Sequence, residues 1–192
     1  MASRICHDLV SPMGAISNGL ELLNMAQRGS SPELELISDS IQNATTRLRF
    51  FRITFGAVSE DQGMSRAEIL SVLKEMDKLQ KQSIRWDSQA EFSRRRVKLI
   101  FLLIMCLETA LPWGGEIRIE DCDGGVHLTG LSERLKIDDE LWSALWRGHS
   151  QVPITSARVH FAIAMAEIAA QAARLSVTQD HAALRLSLRF AV

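Results

Sequence analysis

Two stretches near the start of the chain carry apolar residues at alternating spacings of three and four. Ile5, Leu9, Pro12, Ile16, Gly19 and Leu23 recur in the first, and Leu34, Ile37, Ile41, Ala44, Leu48, Phe51 and Phe55 in the second. This spacing predicts two helices, each with a narrow, one-sided seam of the coiled-coil type. Gly29 stops the first helix, and Ser31-Pro32 opens the second with a capping hydroxyl followed by a proline. So short a link makes the helices antiparallel neighbours, a hairpin. A lone hairpin buries little apolar surface. Either a second copy covers the seam, closing a four-helix bundle across a two-fold axis, or the seam packs on the second half of the same chain. The dimer is the expectation adopted.

Beyond residue 57 the pattern changes. Gly56 to Met64 reads as a linker, and Ser65-Arg66-Ala67-Glu68 is a capping box opening a helix to about Gln82. A short strand at about 83–87 and a buried helix at about 92–111 follow. Residues 116–120 and 126–131 alternate as strands and meet at Asp123-Gly124-Gly125, a hairpin signal. Residues 138–146 form a short helix, and Thr155 or Ser156 caps another running to about Ala172. Residues 174–178 and 183–190 alternate as a closing antiparallel pair. The expectation is an α+β fold in two domains: a helical hairpin at 1–57, and one sheet backed by helices at 65–192.

Composition narrows the function. Among 192 residues, 22 are Lys or Arg and 23 are Asp or Glu, a net charge of −1. That balance argues against nucleic acid or a membrane surface as partner. The longest apolar run, Leu99 to Leu107, falls far short of the ~20 residues that span a bilayer. The N-terminal residues contain no apolar signal core, so a cytoplasmic location is expected. Cys6, Cys106 and Cys122 are scattered and odd in number, which fits reduced thiols rather than a disulfide framework or a zinc site. His127, His149, His160 and His181 have no metal-ligand spacing and read as structural, so no metal site is expected. The four tryptophans read as core or helix-to-sheet packing.

His7 stands apart. At about 100° per residue, it shares a helix face with Ser11, Gly14 and Asn18, almost opposite Ile5, Leu9, Ile16, Leu20 and Leu23. The imidazole is therefore expected to face solvent. Gly14, and Ser11 between, clear the surface for the rigid loops of another protein. Asp8 can accept a hydrogen bond from Nδ1–H, fixing the tautomer that leaves Nε2 as a nucleophile. Pro12 removes a backbone donor one turn after the histidine.

His7-Asp8-Leu9-Val10-Ser11-Pro12-Met13 resembles the phosphoacceptor box of two-component sensor histidine kinases: His, an acid, Leu, any residue, a small polar residue, Pro, then an apolar residue. The longer stretch from Arg4 to Pro12, with Gly14-Ala15-Ile16 and Asn18-Gly19-Leu20-Glu21-Leu22-Leu23, resembles the ChpT-type histidine phosphotransferases. The resemblance implies a dimeric helical bundle followed by a degenerate kinase-like ATPase domain. A working kinase domain holds a magnesium-binding Asn on a helix, an Asp with glycines around adenine, and a Gly-rich lid. Leu99 to Ile119 resembles the helix-turn-strand around the Asn element, yet that helix contains no asparagine and carries Glu108 late in it. Asp121-Cys122-Asp123-Gly124-Gly125 reads as a hairpin turn in preference to an adenine box. The lid region offers only Gly148.

The implied function is phosphoryl relay through His7, with Asp8 orienting the ring and Ser11 one turn on. No cofactor of its own and no ATP binding are expected, and Mg²⁺ comes with the partner's receiver domain. By resemblance, the donor is the receiver of a CckA-like hybrid histidine kinase. The acceptors are CtrA-like and CpdR-like response regulators of alphaproteobacterial cell-cycle control. The docking surface is placed at Arg4, Cys6, Val10, Ser11, Gly14 and Asn18. Arg47, Arg49 and Arg52 either steer acidic receivers or form a solvated helix face. Alternative readings are a non-enzymatic dimeric adaptor for receiver domains, an ATP-dependent autokinase, and a structural dimer outside phosphosignalling.

Overall fold

A computed structural model describes residues 2–26, 31–58, 62–150 and 153–191, with side chains from residue 8 onward. The chain divides into two compact units, 1–59 and 60–192.

The first unit is a pair of packed helices, α1 (Ala2–Ala26) and α2 (Pro32–Phe55). Ser31 caps α2 by accepting from the Leu34 amide, with Pro32 at the first helical position, as the sequence predicts. The predicted seam of α1 is not the face turned toward α2. On α1 the residues withdrawn from solvent are Met13, Ser17, Leu20 and Asn24, one stripe round from the predicted one. Leu9, Ile16 and Leu23 remain 46%, 49% and 49% exposed, and on α2 Leu36 and Ile37 are 68% and 45% exposed. At about 100° per residue, the exposed apolar stripe lies opposite His7, and the withdrawn stripe lies some 70° beside it. The periodicity identified an apolar face without telling which neighbour would cover it.

The second unit is an α+β sandwich. Its strands are β1 (Gly63–Met64), β2 (Gln82–Trp86), β3 (Phe92–Ser93), β4 (Gly115–Cys122), β5 (Gly125–Leu131), β6 (Arg174–Gln179) and β7 (Ala183–Arg189). Its helices are α3 (Arg66–Asp77), α4 (Arg94–Ala110), α5 (Asp139–Arg147) and α6 (Val159–Ala170), the last preceded by a 3-10 turn at Ser156–Arg158. Five strands form one sheet in the order β2-β4-β5-β7-β6, parallel between β2 and β4 and antiparallel elsewhere. Ile84, Trp86, Ile117, Ile119, Val126, Leu128, Leu184, Leu186 and Leu188 alternate onto one buried face. Between this sheet and α6, helix α4 is buried all round, with Leu99 to Ile104 and Leu107 all 0% exposed. Burying each such side chain stabilises the fold by about 1.5–3 kcal/mol. A Cβ on Gly130 would lie 2.9 Å from Leu111 Cδ1 and 3.3 Å from Leu107 Cδ2, so glycine there lets the end of α4 reach the sheet. Lys98 on α4 bonds Glu167 on α6 at 2.7 Å, both side chains mostly buried.

Several predicted boundaries shift for local reasons. The capping box forms, Ser65 and Glu68 satisfying each other's amides, but α3 stops at Asp77 rather than Gln82. The Asp77 carboxylate accepts from the Ile84 amide at 2.6 Å and so pins the following strand. The predicted linker ends early, because Gly63–Met64 pairs with Phe92–Ser93, and Ser93 then caps α4 at Arg94. Trp86 and Trp142 are core residues, whereas Trp113 and Trp146 are 51% and 53% exposed. The exposed pair lie under guanidinium groups, Arg134 at 4.0 Å and Arg147 at 5.2 Å from the ring centres, where an indole face gains a cation–π contact in place of core burial.

His160 is buried beside Phe161, its Nε2 without a hydrogen-bond partner, and burial holds its pKa below the ordinary histidine value. The unfolded chain therefore takes up a proton at this residue before the folded one does, and stability falls as pH drops through about 6.5. Asp138 and Asp180, held below the usual carboxylate range by backbone amides, act only in more acid solution. His160→Leu is expected to flatten the loss of urea midpoint between about pH 7.5 and 5.5. An unchanged slope would assign that loss elsewhere.

Candidate functional site

The candidate site is built on α1, which runs unbroken through Pro12. Proline has no N–H to donate to a carbonyl four residues back, and Pro12 stands five residues after His7 on this helix. The side chains of Arg4, Cys6 and His7 lie outside the described residues, and their positions are known only as backbone within α1.

Position 7 shares its face with Ser11, Gly14 and Asn18, all three exposed. From position 7 to Asn18 is eleven residues, a strip about 16 Å long. Asp8 and Val10 are also exposed beside it, Val10 by 37%. A Cβ built on Gly14 meets nothing within 4 Å. The hairpin therefore does not require glycine there.

The arginines of α2 come level with this strip by helix length alone. Position 7 lies about 28 Å along α1 from its C-terminal end, and Arg52 about 30 Å along α2 from its start. Because the helices are antiparallel neighbours, both sit at the same end of the hairpin. Arg47 and Arg52 are exposed and Arg49 is half-buried.

In the second unit, the residues weighed in the sequence as kinase-like parts have packing work of their own. Cys106 and Leu107 are wholly buried on α4, and burial drives the Cys106 thiol pKa well up. Asp121 accepts from the Gln89 amide at 2.8 Å and from the Ser88 hydroxyl. Asp123-Gly124 makes the tight turn between β4 and β5, Gly124 holding φ at +73°, as the hairpin reading of these residues predicts. Gly148 adopts φ +79° as the C-cap of α5, and residues 151–152 of the lid region lie outside the described residues. Among the described residues no three His, Cys, Asp or Glu side chains converge as a metal site, and no helix is long and apolar enough to cross a membrane.

Residues 66–183 match the family model for the histidine phosphotransferase C-terminal domain. The chain belongs to this histidine phosphotransferase family. The protein phosphotransferase ChpT of Brucella abortus (strain 2308) is 36% identical over 129 residues, 64% of this chain. The match spans 60% of the length of that relative. A 1.7 Å structure of a bacterial phosphotransferase superposes with a TM-score of 0.70 at 26% identity, covering 98% of this chain and 93% of that one.

Open space at Gly14 separates helix stability from access. Gly14→Ala is expected to stabilise the protein by about 0.5–1 kcal/mol in urea unfolding, through the helix preference of alanine alone. Destabilisation would mean that position 14 packs against something in the chain.

Proposed function

We propose that this chain is a dimeric histidine phosphotransferase that relays a phosphoryl group through His7 between receiver domains, without using ATP. The observation that carries the reading is the exposed strip of Ser11, Gly14 and Asn18 continuing from His7, in a chain of the histidine phosphotransferase family. The donor is the receiver of a hybrid histidine kinase, and the acceptors are response-regulator receiver domains. The surface they meet includes Arg4, Cys6, Val10, Ser11, Gly14 and Asn18, with Arg47, Arg49 and Arg52 supplying positive charge at the same end of the hairpin.

In the first half-reaction, Nε2 of a neutral His7 attacks the phosphorus of an aspartyl phosphate. A P–N bond forms, the acyl P–O bond breaks, and the aspartate leaves as carboxylate. Asp8 accepts the Nδ1 proton in a hydrogen bond and offsets the positive charge growing on the ring. The second half-reaction is the reverse, onto another receiver's aspartate. Its loose transition state spreads charge over the equatorial oxygens, which Mg²⁺ arriving with the receiver neutralises. Ser11 lies one turn from the transferred group. Relay without ATP accords with Asp121 and Gly148, whose hydrogen bonds serve the fold, and with a helix α4 that presents buried Cys106 and Leu107 in the Asn element.

The second copy is called for by apolar surface. Leu9, Ile16, Leu23, Leu36 and Ile37 are each 45% or more exposed. A two-fold axis would bring such stripes together as the core of a four-helix bundle.

Incubation with a phosphorylated receiver and Mg²⁺ is expected to place acid-labile label on this chain and none on His7→Ala. Labelling from ATP and Mg²⁺ alone would instead favour an autokinase, and full signalling by His7→Ala an adaptor. Asp8→Asn is expected to slow transfer at least about tenfold, since a positioned acid–base partner contributes 10²–10⁴ at most. Ile16→Glu with Leu23→Glu is expected to convert a dimer into a monomer by sedimentation. A wild-type chain that sediments as a monomer would remove the bundle from the proposal.

A further inference from the structure

The sheet of the second unit has a second face, and its charge is unevenly balanced. Leu184, Leu186 and Leu188 are buried, so Ala183, Arg185, Ser187 and Arg189 of β7 project from the opposite side. The register places Arg174 of β6 directly across from Arg189, Ser176 across from Ser187 and Thr178 across from Arg185. From β5, His127 lies across from Ser187, Thr129 from Arg185, and the side-chain-free Gly125 from Arg189.

On the β2–β4 half of this face each arginine has its own carboxylate. Arg85 bonds Asp87 at 3.0 Å and Arg118 bonds Glu116 at 2.7 Å. On the β7–β6 half, Arg174, Arg185 and Arg189 are exposed and make no ion pair among the described residues. Arg185 Nε reaches only the Thr129 hydroxyl, at 3.4 Å, and His127 Nδ1 shares a hydrogen bond with Ser187 at 2.9 Å. Asp180 lies near enough to Arg185 to feel its charge without forming an ion pair with it. Asp180 accepts from the Ala182 and Ala183 amides at 2.9 and 2.8 Å, and Asp121 is held by Ser88 and Gln89. Glu120 lies across from His127, toward the self-balanced half, and Asp123 sits at the β4–β5 turn. Arg174 directly opposite Arg189 sets like charges side by side, which weakens a cross-strand pair. No ion pair to a described residue offsets that repulsion at Arg174 or Arg189.

The geometry points to this half-face as a docking surface for an acidic, extended segment of a partner protein. Arg185 and Arg189 are four residues apart on one strand, about 13 Å, which matches carboxylates at positions i and i+4 of an extended chain. Arg174 beside Arg189 grips one end, and the hydroxyls of Ser176, Thr178 and Ser187 line the track. The face carries no aromatic side chain on which bases could stack, and the chain as a whole has no excess of positive charge. Apart from Leu131 and Ala183 at one end, it has no apolar side chain to enter a lipid surface.

Amide NMR of the full chain, titrated with a synthetic peptide of alternating glutamate and serine, tests the assignment. Shifts centred on residues 125–131, 174–178 and 185–189 are expected. Binding should weaken at least tenfold in Arg174→Ser with Arg189→Ser, two exposed positions. Arg174→Glu, which turns the like pair into an opposite one, should also raise the melting temperature by a few degrees. No binding, shifts centred elsewhere, or an affinity untouched by the double substitution would overturn the proposal. So would tighter binding of a single-stranded oligonucleotide or of phosphatidylglycerol vesicles than of the peptide.

Discussion

A helix has one circumference, and the first helix of this protein divides it among three tasks. Met13, Ser17, Leu20 and Asn24 turn toward α2, Leu9, Ile16 and Leu23 form an uncovered apolar stripe, and Ser11, Gly14 and Asn18 continue the face of His7. These sectors are fixed by the 3.6-residue repeat, so none can widen without narrowing another. The third must stay polar and shallow, which leaves α1 poor in apolar surface for its own hairpin. The exposed Leu and Ile residues follow from that constraint.

The second unit solves a different problem. Its core is dense, with α4 buried along most of its length against an alternating sheet. Cys106 sits in the helix core, and Asp121 holds the segment at Ser88 and Gln89. An unpaired polar group in a core costs about 1–3 kcal/mol. His160 and Trp86, each with a buried ring nitrogen lacking a hydrogen-bond partner, carry such a cost.

What the sequence made legible was local. Ser31 and Ser65 accept from the first turns they precede, and Asp123-Gly124 turns the chain, because each of these features is decided within a few residues. What it left illegible was relational. The stripe of α1 that meets α2 carries no mark in the periodicity, since a 3.6 period gives an apolar arc but not its neighbour. The pairing of Gly63–Met64 with Phe92–Ser93, and of β2 in parallel with β4, joins segments about 30 residues apart whose composition carries no mark of the partner. The exposed Trp113 and Trp146 were misread for a related reason, as a tryptophan is apolar enough for a core yet well served by a guanidinium at the surface. At the candidate site the sequence supplied the face of His7, and the structure added that Gly14 has empty space above it.

The size of that face limits what it can do alone. A strip about 16 Å long on a helix about 10 Å wide offers on the order of 160 Å². A stable protein interface takes about 800 Å² from each partner, and even a weak one several hundred. On the proposed reading the strip would orient a visitor without holding it firmly. Weak holding would suit such a relay, because a group that must be passed on is served by an intermediate that releases each partner quickly. Selectivity then has to come from surface outside the strip, where charge acts on encounter rate and register more than on lifetime. Arginines at Arg47 and Arg52 are placed for that by helix length alone. A polar sheet face bearing unneutralised arginines adds selectivity in the same way, since it lends direction to an encounter without burying apolar surface that would make release slow.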